Sequence, residues 1–216
     1  MSKPENSGLA RRVFMRTFAS ENTVLVQGLG ICPIIAVGTT LQNAVALTVC
    51  TFAVLLPSSL LMSAIGKKLS PVLRAPLYTL LAMLMMVACA FVMNTYVSPE
   101  LYASLYVFLP LMAVNTLFTY HAGGFSIGRH PLLALTDAAG TSLGFGLVIC
   151  IVSALREMAT GGTIWGYDLG FTVRLPEVAY PFAAFILIGF MAALLQQIKT
   201  KYLRGYEEEE ALLHDA

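Results

Sequence analysis

Pro33-Ile34-Ile35-Ala36-Val37-Gly38-Thr39 returns later in the chain, in altered form, as Pro110-Leu111-Met112-Ala113-Val114-Asn115-Thr116. Each copy joins a Pro, two large aliphatic residues, Ala-Val, a small or polar residue and Thr, and each lies inside an uncharged apolar stretch. A proline in a helix interior removes one hydrogen bond and clashes with the preceding turn, at a cost of about 3 kcal/mol. Lipid offers no replacement partner for the freed carbonyl, so broken backbone at membrane depth persists only where protein covers it or a cavity lines it. Paired broken segments at corresponding places in two halves of an apolar chain point to a midplane site in an inverted-repeat membrane protein.

The rest of the chain fits that reading. Of 216 residues, 57% are hydrophobic and only 12% charged, against about 25% charged in soluble domains. Uncharged runs cover 23–66, 75–99, 101–120, 138–155 and 178–198. A span needs about 20 apolar residues, so the first run folds back on itself as two. The predicted fold is an all-α membrane protein with six transmembrane helices, at 23–38, 42–65, 73–95, 101–121, 137–157 and 178–200. They form two inverted three-helix repeats, 23–98 and 99–200, with helices 1 and 4 broken near the midplane. Residues 1–22 form a cytoplasmic amphipathic arm and 201–216 a cytoplasmic tail.

Orientation follows from the cations, which collect in cytoplasmic loops. Lys3, Arg11, Arg12 and Arg16, then Lys67, Lys68 and Arg74, then Arg129, then Lys199, Lys201 and Arg204 fall on one side, against Arg156 and Arg174 on the other. Both termini are therefore cytoplasmic. Three helices per half is an odd number, so the second half enters from the opposite face. A net charge of +1, with its cations along the membrane rim, gives no nucleic-acid footprint. Arg11-Arg12-Val13-Phe14-Met15-Arg16 looks like a twin-arginine signal, but no short apolar region with a cleavage site follows it. It reads as a basic segment on the inner membrane surface.

Few residues carry chemistry. Cys32, Cys50, Cys89 and Cys150 show no CxxC or other metal-site spacing. Cys32 stands apart because it directly precedes the first repeat's proline; one thiolate cannot hold a cluster that takes four, so a metal role there implies a partner chain. His121 and His130 read as surface or interface histidines. Asp137, after Thr136, reads as a helix N-cap or as an ion or proton ligand. Arg156-Glu157 reads as an interfacial charge pair, and Gly140-x-x-x-Gly144 as a close-packing pattern for a helix partner. Met83, Met85, Met86 and Met93 are packing residues. Trp165, Tyr167 and Tyr180 suit an outer interface. No nucleophile–base set, phosphate loop or flavin or nicotinamide motif is present, so the chain is not a self-sufficient enzyme.

Leu29-Gly30-Ile31-Cys32-Pro33, Pro110-Leu111-Met112-Ala113-Val114-Asn115, and Asp137-Ala138-Ala139-Gly140 with Leu143-Gly144-Phe145 resemble the RnfE/NqrD family. Arg156-Glu157 followed by Gly161-Gly162-Thr163 is closer to that family than to its sister, RnfA/NqrE. The similarity covers about 20–200. It implies a six-helix subunit of the Rnf and Na+-translocating NADH:quinone oxidoreductase complexes, in a bacterial or archaeal cytoplasmic membrane. Such a subunit carries electrons across the membrane with a sister subunit and couples them to Na+ or H+ transport. It also implies a [2Fe-2S] cluster to which each sister gives two cysteines, one of them here Cys32.

The second family ligand is the Cys following Val-Asn in helix 4, where this chain has Thr116. The family's Gly-Arg-Ala-Glu run is likewise changed, to Tyr120-His121-Ala122-Gly123-Gly124. Three readings stand: another cysteine such as Cys150 replaces the ligand, a non-cysteine ligand holds the cluster, or the cluster is lost. A rival function of another class is a secondary transporter, with Asn115 and Thr116 as solute ligands.

Overall fold

The computed structural model describes residues 10, 11, 13–20, 22–168, 170 and 175–214, with no account of side chains from 202 onward. Lys3, Arg12 and Arg174, three of the orienting cations, lie outside the described residues, as do the side chains of Arg204 and of the acidic tail. Helices are α1 (Ile31–Val37), α2 (Leu41–Ile65), α3 (Pro71–Val92), α4 (Pro99–Leu105), α5 (Phe108–Ala113), α6 (Thr116–Tyr120), α7 (Pro131–Gly161) and α8 (Pro181–His214). A hairpin of β1 (Thr163–Ile164) and β2 (Tyr167–Asp168) joins the last two. Trp165 and Gly166 both take positive φ, 57° and 81°, the backbone that a two-residue type I′ turn demands.

Among the described residues, four segments are long and apolar enough to cross a membrane: Leu41–Lys68, Val72–Val97, Pro131–Gly161 and Pro181–Lys201. A fifth is the pair Pro99–Leu105 and Phe108–Phe125, bent by 56°. Residues 22–37 do not form a continuous helix. Irregular turns lead from Asn22 to Gly30, and α1 supplies two turns only.

The stretches predicted as helices 1 and 4 are broken beside their prolines: the 56° bend falls at Tyr106–Val107, one turn before Pro110, which has no amide to offer the Tyr106 carbonyl. Pro33 is the third residue of α1 and Pro110 the third of α5. In a first turn the amide has no intrahelical acceptor, so proline costs nothing there. Both short helices end at Ala-Val: α1 runs through Val37 and caps on Gly38, and α5 runs through Ala113 and caps on Val114. A capping residue then starts the next helix in each copy. Thr40 accepts from the Asn43 amide, and Asn115 accepts from the Leu117 amide. The repeated phrase encodes a start, two turns and a stop.

The core lies between α2 and α7. Ala44, Leu47 and Val54 of α2 and Ala138, Phe145 and Ile149 of α7 are buried. Gly146 lets them meet: a β-carbon there would collide with the Thr48 side chain and stand 3.0 Å from its hydroxyl. The glycine spacing expected to receive a helix receives one from this same chain. A β-carbon at Gly140 would strike Thr17 and come within 2.9 Å of the Phe14 carbonyl. One at Gly144 would lie 2.9 Å from Asn22 Nδ2 and 3.2 Å from the Phe18 carbonyl. The helical segment Arg16–Ser20, with Phe14 before it and Asn22 after it, is thus pressed along α7, with Thr17 buried.

Candidate functional site

Three polar constructions interrupt the apolar bundle. The first is the meeting of the short helices. Gly30, with φ 78°, opens α1, and a β-carbon on it would lie 3.1 Å from Leu117 Cδ1 and 3.4 Å from the Phe145 ring. The start of α1 therefore packs on the start of α6. Cys32 and Thr116 stand in the first turns of those two helices, and both are exposed at the protein surface. Asn115 and Thr116 spend their polar atoms locally. Asn115 Oδ1 accepts from the Leu117 amide at 3.1 Å and from Thr116 Oγ1 at 3.3 Å. This helix-start role accounts for polar residues at membrane depth without a solute.

These residues do not fit half of a four-thiolate iron–sulfur site. Iron–sulfur clusters are held by thiolates, and the position paired with Cys32 offers a hydroxyl already donated to Asn115. Among the described residues no three His, Cys, Asp or Glu side chains converge as a metal-binding group. Cys150 lies beside Thr48, and Cys50 lies beside Cys89.

The second construction corrects a reading made from sequence. Arg156 and Glu157 do not pair with each other across an interface. Arg156 is 1% exposed, and its guanidinium donates to four carbonyls. Nη1 reaches Gly38 at 2.8 Å and Ile35 at 3.1 Å, Nε reaches Val178 at 3.2 Å, and Nη2 bonds Ala179. Glu157 Oε2 accepts from the Leu41 amide at 2.7 Å, and Oε1 from the Gly166 amide at 3.0 Å. A helix end exposes carbonyls and a helix start exposes amides. The cation takes the stop of α1 and the anion takes the start of α2. Together they weld the broken first helix to α7, to the hairpin and to the approach to α8. Sequence carried no signal for this, because the joined carbonyls belong to any residue type.

The third construction corrects two more readings. His121 is 1% exposed rather than superficial, and Asp137 is fully buried. Asp137 is no N-cap: α7 starts at Pro131 with His130 as its cap, one full turn and more before Asp137. His130, by contrast, is exposed as expected. His121 Nδ1 lies 2.7 Å from Asp137 Oδ2. Thr141 Oγ1 stands 3.2 Å from Nδ1 and 3.3 Å from Nε2, and Thr23 Oγ1 stands 3.3 Å from Nε2. Asp137 Oδ1 is buried without a hydrogen-bond partner.

Comparison with known proteins agrees with the fold. Residues 10–193 match the family model described as "Rnf-Nqr subunit, membrane protein". The chain is 31% identical to the E-type subunit of the ion-translocating oxidoreductase complex of Shewanella oneidensis, over 94% of this chain and 93% of that one. It is 33% identical to the protein of the same name from Shewanella loihica, over 82% of each chain. It is 30% identical to that of Aliivibrio fischeri, over 90% of this chain and 92% of the other. A match of this length, in a chain with these broken helices and apolar spans, means that the protein belongs to the Rnf-Nqr family of membrane subunits.

Proposed function

We propose that this chain is an integral membrane subunit of an ion-translocating electron-transport complex, working beside a sister subunit of the RnfA/NqrE type. The observation that carries the reading is near full-length similarity to proteins named as E-type subunits of ion-translocating oxidoreductase complexes. Those names do not favour a free-standing solute transporter. The structure supports the rest of the picture. The first copy of the repeated phrase lies on α1, whose start at Gly30 packs on Leu117 of α6, and the second copy lies on α5 and runs directly into α6. We read the segments that carry the two copies as helices 1 and 4 of two inverted three-helix repeats in the cytoplasmic membrane, with both termini cytoplasmic. Large apolar side chains of α3 and α8, among them Leu80, Leu84, Phe185 and Phe190, are exposed and suit lipid or partner helices.

Cys32 is the one thiol this chain presents at the junction of the short helices, and we assign it to the face toward the sister subunit. Affinity purification of the chain in mild detergent should bring the other redox subunits with it; a solitary homodimer would overturn the reading. Thr116→Cys supplies the absent thiol. Under anaerobic conditions it should raise bound iron and acid-labile sulfide toward about two irons per sister pair, while the unaltered pair holds less. Two irons already present beside Thr116 would mean that another ligand takes its place, and iron unmoved by Cys32→Ser would remove Cys32 from the site.

A further inference from the structure

We infer that the buried His121–Asp137 pair is a proton-binding site, and that a proton is the ion this subunit couples to electron flow. The second half of that statement rests on the function proposed above; the first stands on geometry alone. His121 Nδ1 and Asp137 Oδ2 are 2.7 Å apart, and each side chain is sealed from solvent. Holding one shared proton, as imidazolium with carboxylate or imidazole with carboxylic acid, the pair has no net charge. Giving it up leaves neutral imidazole beside a lone buried carboxylate. A buried charge without compensation is costly, so release needs water or a cation to reach the pair. Asp137 Oδ1 has no donor, which leaves a lone pair ready for the entering group.

Among the described residues, the elements around the pair carry few ionisable groups. Between Leu41 and Ile65, α2 has no Asp, Glu, Lys, Arg or His; its Cys50 is its sole ionisable group. From Pro131 to Ile149, α7 carries Asp137 alone, and Asn22 to Gly30 carries none. Tyr120 meets the His121 ring edge-on at 5.0 Å. From α3 come Tyr78, bonded to Thr119, and Arg74, bonded to the Leu69 carbonyl. The amino-terminal turns that lie on α7 bring Arg16, whose side chain is exposed.

The donor set also selects the ion. A hard cation such as Na+ takes oxygen ligands, whereas imidazole suits transition metals. Here a ring nitrogen occupies the closest position to the carboxylate, and the two threonine hydroxyls face the ring. A proton satisfies this set. Thr23, on the far ring nitrogen, belongs to the irregular segment that runs directly into α1. The proton site is therefore tied to the broken helix that presents Cys32.

Infrared difference spectra of the purified complex with isotope-labelled aspartate, recorded as the pH is varied, test the site. Carboxyl and imidazole bands should change together at one midpoint; the carboxyl band should vanish in Asp137→Asn and the imidazole band in His121→Gln, and the band left in each variant should shift. Bands that ignore pH, or a carboxyl band that persists in Asp137→Asn, overturn the site. Proteoliposomes holding the complex and fed a low-potential reductant test the coupling. Protons moved per electron should be independent of added sodium and fall sharply in both variants. Transport of radioactive sodium in their place, or protons per electron unaltered by either substitution, overturns the proton as coupling ion. If the unaltered complex moves no ion at all, the functional reading falls, and the infrared titration still decides the site.

Discussion

Arg156→Ala should stop the protein accumulating in the membrane. The guanidinium satisfies four carbonyls from two separate stretches of backbone, and Ile35 and Gly38 are buried with it while Val178 and Ala179 lie nearer the surface. Each buried acceptor left unpaired costs about 1–3 kcal/mol, so losing the two inner ones removes a large share of a total stability of about 5–15 kcal/mol. Glu157 would then remain on the start of α2 with its nearby counter-charge gone. Arg156→Lys is expected to rescue little, because one ammonium on a flexible stem cannot replace a planar fork of five donors. Steady-state level and monodispersity after mild detergent extraction read the effect. Normal yield and complex assembly in Arg156→Ala would show that the joint is dispensable.

Gly146→Leu is the other severe change. The position lies on the contact between α2 and α7, and the space a side chain would need is filled by Thr48. Overpacking a well-filled core costs about 1–3 kcal/mol, and here the obstacle is a side chain near its own backbone rather than a long flexible tip. The two helices must separate, which opens the contact that holds the bundle together. Gly189→Leu makes the matched control, since a β-carbon there would find nothing within 4 Å. Thermal unfolding followed in detergent should show a large drop for the first and little for the second. Equal melting of the two variants would contradict this account of the α2–α7 contact.

The sequence showed that the chain is apolar, helical and broken in two places, because hydropathy and a repeated phrase are properties of residues. It also singled out Cys32 and Thr116 as counterparts, and the structure sets them in the first turns of two helices that touch. What it misjudged was where helices begin. Pro71, Pro99, Pro131 and Pro181 each open a helix, preceded by Ser70, Ser98, His130 and Tyr180. Boundaries set by uncharged runs passed over these X-Pro signals, although proline at the first helical position is a recognised start. Starting the fifth helix at 137 instead of 131 made Asp137 a cap and left His121 on the surface. Once α7 begins at Pro131, Asp137 lies inside the bundle and meets His121. The role of Arg156 was beyond reach for a different reason: its partners are backbone carbonyls, which no side-chain pattern announces.

The seat of the amino-terminal turns on Gly140 and Gly144 has a consequence for biogenesis. Phe14, Thr17, Phe18 and Asn22 emerge from the ribosome long before the glycines that receive them. A contact of such sequence separation forms late, because the loop between its ends must be ordered first. Until α7 is inserted, the first turns of the protein have nothing to dock on, and Thr23 has no His121 ring to meet. Any chain cut short ahead of residue 140 thus leaves its amino-terminal segment exposed, giving cellular quality control a handle for recognising unfinished subunits.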